Sequence, residues 1–261
     1  MWIKKTCIVL AGTLIPSLVT TSLVQAEDVK GSLSVLYSPH KTDLSAPGYL
    51  VHLGQLGKDH ENKGDEYYGF QGEVNYGKYL LSIDYLSGTS NTIEGALDVY
   101  TPNLSPPDFK PDSFNPLSYE SSETLDISAG YSIVGSGSGD KLAATVGYFR
   151  MWASPAISPP NWYDGLEFGL KGKYSLHKSL VLTGRFGYVP DVSVHGYMED
   201  SNLMTGKYLV NYAVGAEVPL GADMSIVGGY KSLRAVNRVV YDGSDAVVKF
   251  TGFYVGGSYN F

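Results

Sequence analysis

The sequence predicts an all-β fold, a transmembrane antiparallel up-and-down β-barrel of ten strands. Three observations predict it: hydrophobicity repeating every second residue, charge confined to one face of that repeat, and connections alternating between short and long. Almost nothing after residue 26 recurs at helical spacing. The abundance of Gly (31) and Tyr (21) suits strands and disfavours long helices.

The N-terminus is set apart from this pattern. Lys4 and Lys5 precede an apolar run from Cys7 to Val24, interrupted by Gly12, Pro16 and Ser17, and Val24-Gln25-Ala26 offers small or apolar residues at a cleavage site. This order is that of a signal peptide, so residues 1–26 are expected to be cleaved after Ala26, leaving 27–261 as one barrel domain. Cys7, the only cysteine, leaves with it, and the mature chain has no disulfide or thiolate chemistry. Loss of Lys4 and Lys5 leaves 17 basic against 26 acidic residues, a net charge of −9 that argues against a nucleic-acid partner.

Ten segments of alternating character follow. The first sets Leu33, Val35 and Tyr37 against Lys30, Ser32 and Ser34. The second sets Tyr68, Phe70, Val74 and Tyr76 against Gln71, Glu73 and Asn75, and the third Tyr79, Leu81, Ile83 and Tyr85 against Ser82 and Asp84. Leu125, Ile127, Tyr131 and Ile133 oppose Asp126, Ser128 and Ser132 in the fourth. Leu142, Val146 and Tyr148 oppose Ala143, Thr145 and Gly147 in the fifth. In the sixth, Leu166, Phe168, Leu170 and Tyr174 face away from Glu167, Lys171 and Lys173. The seventh opposes Leu182, Phe186 and Tyr188 to Thr183 and Arg185, and the eighth opposes Tyr208, Tyr212 and Val218 to Asn211 and Glu217. Met224, Ile226 and Tyr230 against Ser225 and Lys231 form the ninth; Phe253, Val255, Tyr259 and Phe261 against Ser258 and Asn260 form the last. The first and ninth are the weakest, and without them the count is eight.

Within these segments Lys30, Glu73, Asp84, Asp126, Glu167, Lys171, Lys173, Arg185, Glu217 and Lys231 all lie on the polar face. A lipid-facing Lys or Arg at mid-membrane costs about 2–4 kcal/mol, so this face points into the lumen as a charge network. The apolar face carries an aromatic girdle: Tyr68, Tyr76, Tyr79, Tyr85, Tyr174 and Tyr188. Tyr68 and Tyr76 are eight residues apart, roughly 20 Å along the membrane normal for a tilted strand.

Gly77-Lys78, the stretch 135–140, His177-Lys178 and 219–223 make short connections. The stretches 38–66, 88–122, 150–164, 190–206 and 233–248 make long ones. Short turns on one side mark the periplasmic end of outer-membrane barrels. Of 13 prolines, Pro16 belongs to the leader, Pro219 to a short turn, and the other 11 are expected in the long loops, since a central strand cannot spare an amide.

The chain ends Tyr254-Val-Gly-Gly-Ser-Tyr-Asn-Phe261. This resembles the C-terminal assembly signal of bacterial outer-membrane β-barrel proteins, with Tyr254, Gly256, Tyr259 and Phe261 in its places and Tyr254 a partial match to the polar one. The resemblance covers these residues alone. It implies an integral outer-membrane location in contact with lipid, and recognition by the barrel-assembly machinery.

For function, a balanced set of lumen charges reads either as a structural plug or as the lining of a narrow channel for small polar solutes or ions. Ten-stranded barrels include the omptin surface proteases, which use acids and an Asp–His pair; here Asp84 lacks a second acid nearby and no Asp lies two residues before His195. The chain is therefore read as no enzyme, with an omptin-like protease or a loop-mediated adhesin or ligand-binding barrel as alternatives. His40, His52 and His60, beside Asp59, Glu61, Asp65 and Glu66, fit no metal spacing, so neither metal nor cofactor is expected. Trp152, Trp162 and Tyr163, among Pro155, Pro159 and Pro160, read as a loop anchored at the membrane interface.

Overall fold

In the computed structural model, residues 29–45, 65–89, 119–136, 139–155, 161–195, 204–240, 243 and 245–261 are described. They form the strands β1 (Val29–Ser45), β2 (Asp65–Tyr76), β3 (Tyr79–Thr89), β4 (Tyr119–Gly135), β5 (Lys141–Pro155) and β6 (Asn161–His177). Then come β7 (Leu180–Val189), β8 (Ser193–His195), β9 (Met204–Pro219), β10 (Met224–Val239) and β11 (Asp245–Asn260). Strands β1 to β7 pair antiparallel in sequence order, β7 pairs with β9, β9 with β10 and β10 with β11, and β1 pairs with β11, which closes the sheet. Three-residue β8 continues the line of β7 along the edge of β6, so the barrel has ten staves. Closure leaves no open edge, the condition for sheet in lipid.

The two faces alternate as the sequence predicts in all ten segments. Val35, Leu81, Phe168, Val214 and Phe253 stand exposed outside, while Ser34, Ser82, Glu167, Asn211 and Ser258 are buried within. Tyr68, Tyr76, Tyr79, Tyr174 and Tyr188 are exposed on the outer wall. Tyr85 is half-buried, its ring 5.6 Å from that of Phe70. The two-residue turn between Tyr76 and Tyr79 needs a positive φ, which Gly77 supplies at 56°.

The strands run further than the alternating pattern shows. β1, β4 and β6 reach 17 residues, against the 9–12 expected of a tilted crossing, and the excess projects from the long-loop end. All five long connections therefore shrink, two of them to five residues. Strand continues through Pro155 and resumes at Asn161, and β10 reaches Val239 before β11 begins at Asp245. His40, Asp65 and Glu66 become strand residues, whereas His52, Asp59, His60 and Glu61 lie outside the described residues, as does the whole leader.

Pro39 and Pro155 are in strands, not loops. Pro39 shows how a barrel tolerates this. Gly31 and Phe261 exchange both backbone hydrogen bonds, so every second residue of β1 onward, including Pro39, belongs to a bonded pair. Its partner would be Phe253, whose carbonyl would lack a donor. The Ser38 hydroxyl donates to that oxygen at 2.8 Å and replaces the missing amide.

Candidate functional site in the barrel interior

The lumen has two layers. Toward the short-turn end it is ionic. Glu73 on β2 accepts from Lys141 and, at 2.7 Å, pairs with Lys171, while Asn75 donates to it at 3.0 Å and accepts from Lys141 at 2.6 Å. At mid-height Arg185 contacts Asp126, Glu167 at 2.8 Å and Asp84 at 3.8 Å. Asp84 also holds Lys231 at 3.0 Å and accepts from Gln71 at 2.7 Å. Glu217 pairs with Lys173 at 3.3 Å and accepts from Ser225 at 2.7 Å.

The wall arrangement explains why these pairs must span the lumen. Asp84 and Asp126 sit directly opposite each other on β3 and β4. Lys141 and Lys173 do so on β5 and β6, and Lys171 and Arg185 on β6 and β7. Like charges in such register are mutually destabilising. Glu167 meets Arg185 from the neighbouring strand and Glu217 meets Lys173 past one strand, while Glu73, Asp84 and Asp126 are neutralised by side chains reaching across the channel. Glu167 fits because its carboxyl lies over Gly187, where any Cβ would come within 2.3 Å of it. A cavity of about 90 Å³ remains among these groups, room for a few waters at roughly 10–15 Å³ each.

Nine of the ten residues expected in the lumen network are in it. Lys30 is not; it is exposed at the short-turn rim. Lys141 takes its place, buried, and the layer stays balanced: Glu73, Asp84, Asp126, Glu167 and Glu217 against Lys141, Lys171, Lys173, Arg185 and Lys231. The sequence segment began one residue too late, at Leu142, to include it.

Toward the long-loop end the lumen is apolar, which corrects the expectation of a polar face throughout. Phe149, Met151, Tyr163, Val189, Val192, Val194, Leu209, Leu233 and Ala235 form one buried cluster, with Phe250 packed against it. Leu36, Tyr67 and Leu86 form a second beside Val227 and Tyr254. A slot of about 20 Å³ lies between the two, and Tyr67 and Ser122 are hydrogen-bonded beside it. The signal was present: continuing the inward positions Ala143, Thr145 and Gly147 leads to Phe149 and Met151.

The outer wall at that end carries a polar-aromatic cluster. Trp152 and Trp162 are strand residues in direct register, and Tyr163 points inward, so the expected loop anchor is a piece of sheet. His195 is on β8, opposite Trp162, with the two rings stacked at 5.4 Å. Asp164 accepts from Tyr148 at 2.9 Å and from Arg150 at 2.9 and 3.2 Å, and its second oxygen is 3.5 Å from His195 Nε2. Burial pushes the Asp164 carboxyl up, but these donors outweigh it and hold the group below the ordinary carboxylate range. Asp84 faces the lumen, on the other side of the wall, so the structure does not bring it to His195. Among the described residues no group of three His, Cys, Asp or Glu side chains gathers to hold a metal ion.

At the C-terminus, Phe261 pairs its backbone with Gly31, Tyr259 and Phe261 rings lie 6.5 Å apart outside, and Tyr254 and Gly256 face inward.

A closed barrel with an apolar outer belt and interlocked charges inside defines a transmembrane β-barrel of the bacterial outer-membrane type. No protein-family model matches the chain, and no curated protein matches it. Among solved structures it is similar to the outer-membrane protease OmpT from Escherichia coli (11% identity, covering 91% of this chain and 98% of that one, TM-score 0.48). It is also similar to the Ralstonia pickettii toluene transporter TbuX (9%, 91% and 90%, 0.32). A third is a Pseudomonas aeruginosa FadL homologue (8%, 89% and 90%, 0.29). At these identities none of the three assigns an activity.

Proposed function

We propose that this protein is a closed outer-membrane barrel whose role is structural and surface display, and that it is neither a solute channel nor an enzyme. One observation carries the reading: the lumen is stopped twice, by cross-lumen ion pairs below and by a packed apolar cluster above. A permeant ion would have to displace the first and cross the second, whose mainly apolar side chains replace little of its hydration. In this reading the leader is removed after Ala26, the closing strand with Tyr254, Gly256, Tyr259 and Phe261 is read by the barrel-assembly machinery, and the strand extensions at the long-loop end supply the displayed surface. The cluster of Asp164, Arg150, Tyr148 and His195 acts as an anchor at the lipid–water boundary, where aromatic residues concentrate. Planar-bilayer recording of refolded residues 27–261 tests the proposal. Electrical silence with folding confirmed is expected; steady, ion-selective openings would overturn it in favour of a small-solute channel.

A further inference from the structure

One part of the outer wall lacks side-chain cover. Gly172 and Gly184 are direct partners on β6 and β7, and both face outward. Their row continues to Leu142 on β5 and Val214 on β9, which wall the sides. The Leu170–Phe186 pair closes the depression above and the Tyr174–Leu182 pair closes it below. All six of these side chains are exposed on the outer belt. The depression measures about 770 Å³, within the range of roughly 300–1,000 Å³ typical of ligand pockets.

Packing does not demand glycine at its centre. A Cβ on Gly184 would meet nothing within 4 Å. Glycine weakens a strand interior relative to alanine, so the missing side chain leaves room for something from outside the chain. On β6 the exposed apolar run extends from Leu166 to Leu176, which places Gly172 nearer the short-turn end, roughly 10 Å above Leu176 for a tilted strand.

We propose that this socket holds an acyl chain of one phospholipid from the leaflet at the short-turn end. The belt around the socket is already the interface with hydrocarbon, and the socket is continuous with it; the proposal rests on that reading of the wall. Below it, at headgroup height, the β6–β7 turn presents His177 and Lys178 to solvent, where a phosphate meets a cation. Asp140, the acid on the lower rim, accepts the Ser175 amide at 2.7 Å.

The test uses the mature protein reconstituted in vesicles of phosphatidylethanolamine and phosphatidylglycerol, released into mild detergent and weighed by native mass spectrometry. Gly184→Phe fills the socket. Gly257→Phe is the control, another outward glycine whose Cβ meets nothing within 4 Å. Heat-modifiable gel mobility reports folding of each. The expected result is one retained phospholipid on wild type and on Gly257→Phe, and at least a tenfold loss on Gly184→Phe. Equal retention on Gly184→Phe, or none on wild type, overturns the proposal. So does a wild-type dimer that Gly184→Phe dissociates, which would make the occupant a second copy. A spin label at Gly257→Cys that reports water rather than hydrocarbon would instead overturn the lipid-facing wall itself.

Discussion

The lower and upper halves of the lumen solve one problem by opposite means. Both must fill a ten-stave barrel. The lower half uses five acids and five bases, with like charges opposite each other on neighbouring strands, so most of its neutrality comes from partners on strands further round the barrel. The upper half uses Phe149, Met151, Leu209 and Leu233, packed as in a soluble core. A charge layer fixes which wall faces which, because one missing partner leaves a buried ion. An apolar layer tolerates exchange and contributes stability by area. The contrast teaches that inward position alone does not make a barrel residue polar.

The largest expected effect strikes the ionic layer. Arg185→Met removes the cation shared by Asp84, Asp126 and Glu167, and should cost about 3–5 kcal/mol in urea unfolding of the refolded protein. A loss below about 1 kcal/mol would mean the carboxylates are satisfied without it, and the interlocking account would fail. Phe149→Ala should cost about 3 kcal/mol by leaving a cavity in the upper cluster. The two substitutions should add within about 0.5 kcal/mol if the layers are separate, and coupling well beyond that would make them one core.

Next in size is the exchange of one lysine for another. Lys141→Met should cost about 1–3 kcal/mol, since it leaves Glu73 with Lys171 and Asn75 and removes the buried cation, whereas exposed Lys30→Met should stay within about 0.5 kcal/mol. Equal effects would return Lys30 to the network.

The smallest effect is outside the lumen. Asp164→Asn should cost under about 1 kcal/mol, because its partners Arg150 and His195 are partly solvated. Since folding lowers the Asp164 carboxyl, its contribution is present above the unfolded value of about 3.9 and is lost as pH falls through the lower folded value. An acid titration of unfolding should therefore converge for wild type and variant at low pH. Parallel curves would show that the carboxylate contributes nothing as an ion.

The staves were legible because lipid outside and charge inside impose a period of two that no helix shares. The inward placement of Glu73, Asp84 or Lys231 followed from that period alone. Which acid meets which base did not, because Asp84 and Lys231 are 147 residues apart and meet only when β1 pairs with β11. Local patterning likewise hid the ends of the strands. Beyond the membrane both faces lose their contrast, so Trp152, Trp162 and His195 read as loop although pairing makes them sheet. Pro39 read the same way, since only the tertiary partner Phe253 shows that Ser38 replaces its amide.

The sequence by itself determined the architecture, the wall each side chain faces and the number of crossings, since these depend on neighbours one and two residues away. The tertiary structure decided the cross-lumen partners, the apolar upper seal and the bare patch at Gly172 and Gly184. The first two depend on closure, which brings distant strands to one height and lets charge and packing act between them; the patch depends on the register of β6 against β7.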